Sequence, residues 1–454
     1  MTSSRSTSLT ATATPPSALA PVRPTRPPTV RAGGSSGSTQ AGMIATGAAS
    51  AIANLPRIDA KIALVSRSGS GGVARHILDL LALQTQGVAR FHGVFTVLSE
   101  SFRRRLLPFR EQGFTWDELP MRRSPHPWHD IAALHRMMEY LAAARVDLVH
   151  THGTKGGYLG RLAARRLGLP AIHTPHTFPM EIHTLQRTLI KPALIGIERT
   201  LARITDAQVV LTESQRQLAE RWNIAVRREV LIPNAIGAPY SPEWVSEERA
   251  RQRTRLGLPA DAPVAVWTGR FDPQKNPELV LLAGVRWLTA CPTARLVLVG
   301  AGDGPVASDS RGEGGHRMAA MATQFARAGL ATRVVFTGEC DNVEEILCAG
   351  DLFLNASHYE GMPYVVLEAM RVGLPLVLTD IAGHRDMIST GEEGFLCPLD
   401  SSTLSAAMQR LTADSALRAR MGLASRRRGG RYPMEAFLKA HAALYRSVAT
   451  RAGR

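Results

Sequence analysis

Cysteine is scarce in this 454-residue chain: Cys291, Cys340, Cys348 and Cys397 form no Cys-x-x-Cys pair and no zinc-finger spacing with histidine. That argues against a metal or disulfide framework and leaves four small apolar residues suited to a reducing compartment. No window reaches the ~18 uninterrupted apolar residues of a membrane span. The best stretch, residues 188–211, is broken by Lys191, Glu198, Arg199, Arg203 and Asp206, so a soluble or peripheral protein is expected. Aromatic residues are only 6% and do not interleave with basic ones, which disfavours a base-stacking surface and nucleic acid as partner. Asp-x-Asp and Walker A strings are both missing.

What is present is length, apolar content and positive charge. A chain of 454 residues with 44% apolar side chains is too long for one core and suits two or three domains. Its 54 basic residues, only five of them lysine, outnumber 38 acidic ones to give +16. That excess invites nucleic acid, an anionic membrane or phosphate-bearing substrates.

Residues 1–59 are Ser, Thr, Ala, Pro and Gly with five Arg and one acid, Asp59. Such a segment is expected to be a disordered tail, because it has too little apolar surface to offset ordering entropy. An organellar transit peptide, an unstructured extension and a misassigned start with Met43 as the true one look the same.

From Lys61 the pattern changes. KIALV (61–65) runs into SRSGSGG (66–72) and a helical spacing at Val73, Ile77, Leu80 and Leu81, the strand, glycine loop and helix of a Rossmann-type unit. Further apolar strands are expected at 91–99, 147–153, 170–176, 207–212 and 229–234. The pattern restarts at PVAVWTG (263–269) and continues at 294–300, 333–338, 351–357, 374–380 and 394–400. Alternating strands and helices imply parallel sheets covered on both faces. The expected division is a tail, 1–59; a first Rossmann-like domain, 60–235; a second, 236–430; and a C-terminal helix, 431–454, crossing back to the first.

The densest chemical signal is SHYEGMPYVVLEAMRVGLPLVLTD (357–380). Glu360 falls in a loop after a strand, Pro363 is expected at helix position N1, and Glu368 lies two turns in. Backbone N–H groups near Gly361 and Met362 suit an anion, and a carboxylate can accept two bonds from a sugar diol. Two arbitrary carboxylates of this kind are ordinarily a solvated loop and helix surface.

This string resembles the Glu, seven residues, Glu signature of the retaining family-4 glycosyltransferases, which have the GT-B fold. The resemblance runs in order from Lys61 to about Ser447. It implies that Glu368 holds the nucleotide ribose and Glu360 lies beside the donor sugar. By the same resemblance Gly71 and Gly72 let backbone approach the diphosphate. GRFDPQKNPE (269–278) matches the family's Arg and Lys, so Arg270 and Lys275 are expected to neutralise the departing diphosphate. HTHGTKGGYLGRLAARRLGLPAIHTPHTFP (150–179) resembles the first domain, with His176, and next His173, near the donor sugar; Lys155 is a candidate for an acceptor phosphate. VGAGDGP (299–305) and TGECDNVEEIL (337–347) match segments around the nucleotide. The chain departs at GHRDMI (383–388), where Asp386 stands in place of the usual Glu and leaves the donor sugar open.

The expectation is a metal-independent, retaining transferase moving a hexose from a UDP- or GDP-sugar to an acceptor hydroxyl, with no cofactor and no metal site. The missing Asp-x-Asp disfavours the metal-dependent GT-A type. Polysaccharide, capsule or lipopolysaccharide assembly on a glycan or polyprenyl-diphosphate acceptor is the expected setting, in the cytoplasm or peripheral at the inner membrane. A sugar-nucleotide 2-epimerase of the same fold and a catalytically dead membrane or nucleic-acid scaffold are the alternatives. Residues 60–235 carry net +10 and residues 236–430 net −2. Arg103, Arg104, Arg105, Arg122, Arg123, Arg161, Arg165 and Arg166 are therefore expected to face an anionic membrane.

Overall fold

Each half of the chain builds its sheet around a strand whose alternate side chains are apolar toward both faces. The computed structural model describes residues 52, 54–67, 69–96, 98–122, 124–181, 190–300 and 313–452. The first sheet has seven strands in the order β3-β2-β1-β4-β5-β6-β7: β1 Lys61–Ser66, β2 Arg90–Phe95, β3 Thr115–Glu118, β4 Leu148–His152, β5 Ala171–Thr174, β6 Ala207–Val210 and β7 Glu229–Leu231. The second has six in the order β10-β9-β8-β11-β12-β13: β8 Val264–Thr268, β9 Arg295–Val299, β10 Val334–Gly338, β11 Leu352–Asn355, β12 Leu376–Thr379 and β13 Gly394–Cys397. Every pairing in both sheets is parallel. These are the two parallel-sheet Rossmann-like halves of the GT-B fold.

Period-two alternation puts Ile62 and Leu64 of β1 in one core with Ile77, Leu80 and Leu81 of helix Gly71–Thr85 and with Phe437, Leu438 and Tyr445. Ala63 and Val65 go to the opposite core with Met137, Leu141, Leu159 and Ala163. Phe437, Leu438 and Tyr445 belong to the C-terminal helix Met434–Ala452, which leaves the second half and covers the first sheet. There the Tyr445 hydroxyl meets His150 Nδ1 at 2.8 Å, and Arg446 donates to Pro56 O at 2.8 Å.

In both sheets the strand order reverses beside the first strand of the half, between β1 and β4 and between β8 and β11. Such switch points open a crevice at the carboxyl ends of the strands. Ser66, His152, Thr268 and Asn355 are the last residues of these four strands, so the loops that follow them carry the site.

Several expectations need correction. The packed chain begins before residue 60: Ile52 and Ile58 are buried, and Ile58 N donates to Val88 O at 2.7 Å. Residues 1–51 and 53 of the expected tail, and VGAGDGP beyond Gly300, lie outside the described residues. Pro363 is the N-cap of helix Tyr364–Val372, not its first residue. Of the arginines expected at a membrane, Arg103 pairs with Glu118 at 2.7 Å, Arg104 with Asp341 at 3.5 Å, and Arg161 is fully buried against Glu198 at 2.9 Å. Arg105 turns inward, where burial and Arg75 lower its pKa. Arg165 and Arg166 are exposed, and Arg123 lies outside the described residues. Cys348 and Cys397 are buried as expected, but Cys291 and Cys340 are half-buried. Among the described residues no helix is long and apolar enough to cross a membrane.

Candidate active site

The loop after β8 clamps the loop after β11. Asp272 accepts from Arg270 Nε at 2.9 Å and from Lys275 N at 3.0 Å, which folds GRFDPQKN into a tight turn before the N-cap Asn276. The turn aims Lys275 Nζ at Glu360 Oε1, 2.5 Å away. Gln274 Nε2 reaches Glu360 Oε2 at 3.4 Å and Tyr359 O at 3.2 Å, while Gln274 O accepts from His358 N at 2.9 Å. Ser357 Oγ donates to Glu360 Oε1 at 2.7 Å. Glu360 is thus buried but ion-paired, and its orientation is set by three side chains.

Arg270 extends toward the first half. A Cβ on Gly71 would lie 3.5 Å from Arg270 Nη1, and Gly71 opens its helix with φ +65°, a left-handed conformation that favours glycine. Gly72 faces the Tyr364 ring. The N-terminus of helix Gly71–Thr85 therefore confronts both Arg270 and the start of helix Tyr364–Val372.

Gly361 meets the first half most closely. A Cβ there would stand 1.7 Å from His176 O, so no larger residue fits. His176 has φ +59°, and its carbonyl also accepts from Gln215 Nε2 at 2.8 Å. Among the described residues the Gly361 and Met362 N–H groups have no hydrogen-bond partner, while Met362 O accepts from Asn234 Nδ2 at 2.7 Å. His176 Nε2 lies 3.2 Å from His152 Nδ1, and the His76 ring packs edge-on against both.

Glu368 lies on the second turn of its helix, nine-tenths buried, with no hydrogen-bond partner among the described residues. Burial first, and then the carboxylate of Glu344, push its pKa up to about 7, against the pull of Arg75 and Arg105. Glu344 is itself gripped by Arg371 at 3.0 Å and Tyr240 at 2.7 Å.

Other sequence candidates sit elsewhere. His173 lies on the opposite face of the sheet, bonded to Thr151 Oγ1 at 2.9 Å, which makes it a packing histidine. Lys155 is tied to Asp130 and to Ser124 O, not presented to a ligand. Asp386 accepts from Ser214 N at 2.8 Å, at the start of helix Glu213–Arg221, and so joins the two halves.

Sequence reading missed His76, His152, Arg75, Asp79, Asn234 and Glu181. Burial, with a small contribution from Glu360, pushes Glu181 up to about 7. A signal existed for three of them: Arg75, His76 and Asp79 form a polar stripe at helical spacing inside an otherwise apolar helix, as expected of a face turned to a cleft.

Residues 71–235 match the model described as a glycosyl transferase 4-like domain, and residues 262–414 match that of glycosyl transferases group 1. The UDP-Gal:alpha-D-GlcNAc-diphosphoundecaprenol alpha-1,3-galactosyltransferase of Escherichia coli is 28% identical over 63% of this chain and 72% of its own. A D-inositol 3-phosphate glycosyltransferase of Acidothermus cellulolyticus is 30% identical over 62% of this chain and 61% of its own. Among solved structures, Anabaena HepE in complex with UDP and glucose aligns with TM-score 0.70, covering 86% of this chain and all of that one; at 18% identity this is a likeness of fold. With both halves matched in order and the two switch points facing each other across the cleft, the chain belongs to the GT-B glycosyltransferases.

Proposed function

We propose that the protein moves a hexose from a nucleoside diphosphate sugar, UDP-linked by preference, to a hydroxyl of a glycan or polyprenyl-diphosphate-linked acceptor, with retention at the anomeric carbon. The observation that carries this reading is the fixed set Arg270, Lys275 and Glu360 at the second switch point, facing Gly71 and His176 at the first. A departing diphosphate gains negative charge. Preorganised N–H donors stabilise that charge more in the transition state than in the ground state. Lys275 has three donors and gives one to Glu360; Asp272 holds the Arg270 guanidinium in place. The N–H groups of Gly361 and Met362, just before helix Tyr364–Val372, can donate to an anion beside the partial positive charge of that helix start. With this charge supplied by the chain, the reaction is expected to run in chelator.

Glu368 suits the ribose: its unengaged carboxylate can accept two hydrogen bonds from a diol. Glu360 already accepts from Lys275 and Ser357 through one oxygen, which suits a residue that orients the sugar better than a nucleophile. Retention then proceeds by same-face attack, the leaving phosphate oxygen taking the acceptor proton. The Escherichia coli relative is named for UDP-Gal and a diphosphoundecaprenol acceptor, which supports a UDP donor and a lipid-linked acceptor. The net charge of +10 on residues 60–235, with exposed Arg165 and Arg166, supports approach of this half to an anionic membrane surface.

The test is incubation of purified protein, with and without chelator, with UDP- and GDP-sugars and a polyprenyl-diphosphate-sugar acceptor. Transfer from a nucleotide donor with the product anomer matching the donor supports the reading. Isomerisation of the nucleotide sugar without acceptor identifies a 2-epimerase, and no turnover with any donor points to a dead scaffold.

A further inference from the structure

Three imidazoles from separate stretches of chain converge beside the cleft. His76 projects from helix Gly71–Thr85, His152 ends β4, and His176 sits on the loop after β5. One ring nitrogen of each lies within 4.8 Å of those of the other two. A tetrahedral ion with bonds of about 2.0–2.1 Å sets its donor nitrogens about 3.4 Å apart, so modest side-chain rotations close the set.

The hydrogen bonding prepares a ligand. Asn234 Nδ2 donates to Met362 O at 2.7 Å, which turns Oδ1 toward His76 Nδ1 at 2.9 Å. An amide oxygen only accepts, so the His76 proton resides on Nδ1 and Nε2 presents its lone pair. Metal-binding histidines are oriented in this way, one nitrogen donating outward and the other ligating. His76 Nε2 and His152 Nε2 are buried and, among the described residues, have no hydrogen-bond partner. Burial also keeps the three rings neutral, the form that binds metal; it pushes His76 down to about 4 and lowers His152 and His176 well below the usual histidine range.

We propose that His76, His152 and His176 bind one borderline divalent transition-metal ion, with zinc as the natural probe, and that the bound ion holds the enzyme inactive by withdrawing His176 from the sugar. The binding rests on the geometry of the three rings. The inhibition rests on the reading of His176 as a sugar-facing residue.

Full-length apo protein titrated with Co²⁺ is expected to develop the intense visible bands of a tetrahedral site at one equivalent, displaced by one equivalent of Zn²⁺. His76→Gln and His152→Gln should each weaken Zn²⁺ binding at least ~10-fold. The surface pair of half-buried His126 and exposed His129, with ring centroids 4.3 Å apart, is the control, and its double Gln variant should bind as wild type does. If a buried variant fails to fold, Zn²⁺-induced shifts of the His76, His152 and His176 ring resonances in the wild type decide the site. Absence of stoichiometric binding at micromolar protein, or binding lost with His126 and His129, overturns the site. Zn²⁺-loaded protein that transfers sugar as fast as chelated protein overturns the inhibition. If chelated protein transfers no sugar either, the transferase reading fails, while the cobalt spectrum still tests the metal site.

Discussion

Lys275 Nζ sits 2.5 Å from Glu360 Oε1, joining the loop after β8 to the loop after β11 across 85 positions of sequence. Both side chains are largely buried, at 14% and 8% exposure, so removing one partner strands the other's charge. Lys275→Met should destabilise the fold by about 3 kcal/mol, the lower end for breaking a buried pair. The double variant Lys275→Met/Glu360→Gln should recover much of that loss. Urea unfolding of the two single variants and the double variant measures the coupling.

Glu368 predicts a pH dependence. Its pKa of about 7 in the fold lies above the ordinary glutamate value of about 4.3. The neutral form is therefore favoured in the folded state, and its contribution to stability is lost as pH rises from the lower value through the higher. The proposed binding of ribose by Glu368 runs the other way, because only the carboxylate accepts two bonds from a diol. KM for the donor should fall as pH rises through 7 in the wild type, and Glu368→Gln should flatten both profiles. Initial rates and thermal melts from pH 5 to about 8.5 check this.

Gly361→Ala tests the contact between the halves. Its Cβ would stand 1.7 Å from His176 O, and the obstacle is backbone, so the loops must separate. A loss of about 1–3 kcal/mol in stability is expected, together with a fall in kcat that outweighs any change in donor KM. Steady-state kinetics and thermal melts of the wild type and Gly361→Ala check both.

Asp386→Ala removes the acceptor at Ser214 N, 2.8 Å away at the start of helix Glu213–Arg221. The loss of a carboxylate at a helix N-terminus should cost about 1 kcal/mol, and Asp386→Asn should recover part of it. Because this bond joins the two halves, hydrogen exchange in Glu213–Arg221 should rise more than in helix Gly71–Thr85.

The strands were legible because β1, β8, β11 and β12 are largely apolar runs buried on both faces. β3 was not: TWDE is an edge strand with no side chain fully buried, so it carries no apolar signal. Glu360, Glu368, Arg270 and Lys275 stood out because each lies in a continuous string after a strand. His76, His152 and Asn234 did not, since they come together only when helix Gly71–Thr85, β4 and the segment after β7 are folded. Arg103, Arg104 and Arg105 read as one basic patch in sequence. Helical spacing sends them in three directions, to Glu118, Asp341 and the Arg75 cluster.

The central claim is that Arg270 and Lys275 meet the charge of a departing diphosphate. Its most direct measurement is single-turnover transfer from a nucleotide sugar by wild type, Arg270→Ala and Lys275→Ala, each first shown to be folded by its melting curve. The account predicts a drop of ~100-fold or more in the rate of transfer for each, about 3 kcal/mol, with a smaller change in donor affinity. Folded variants that transfer sugar at the wild-type rate contradict it.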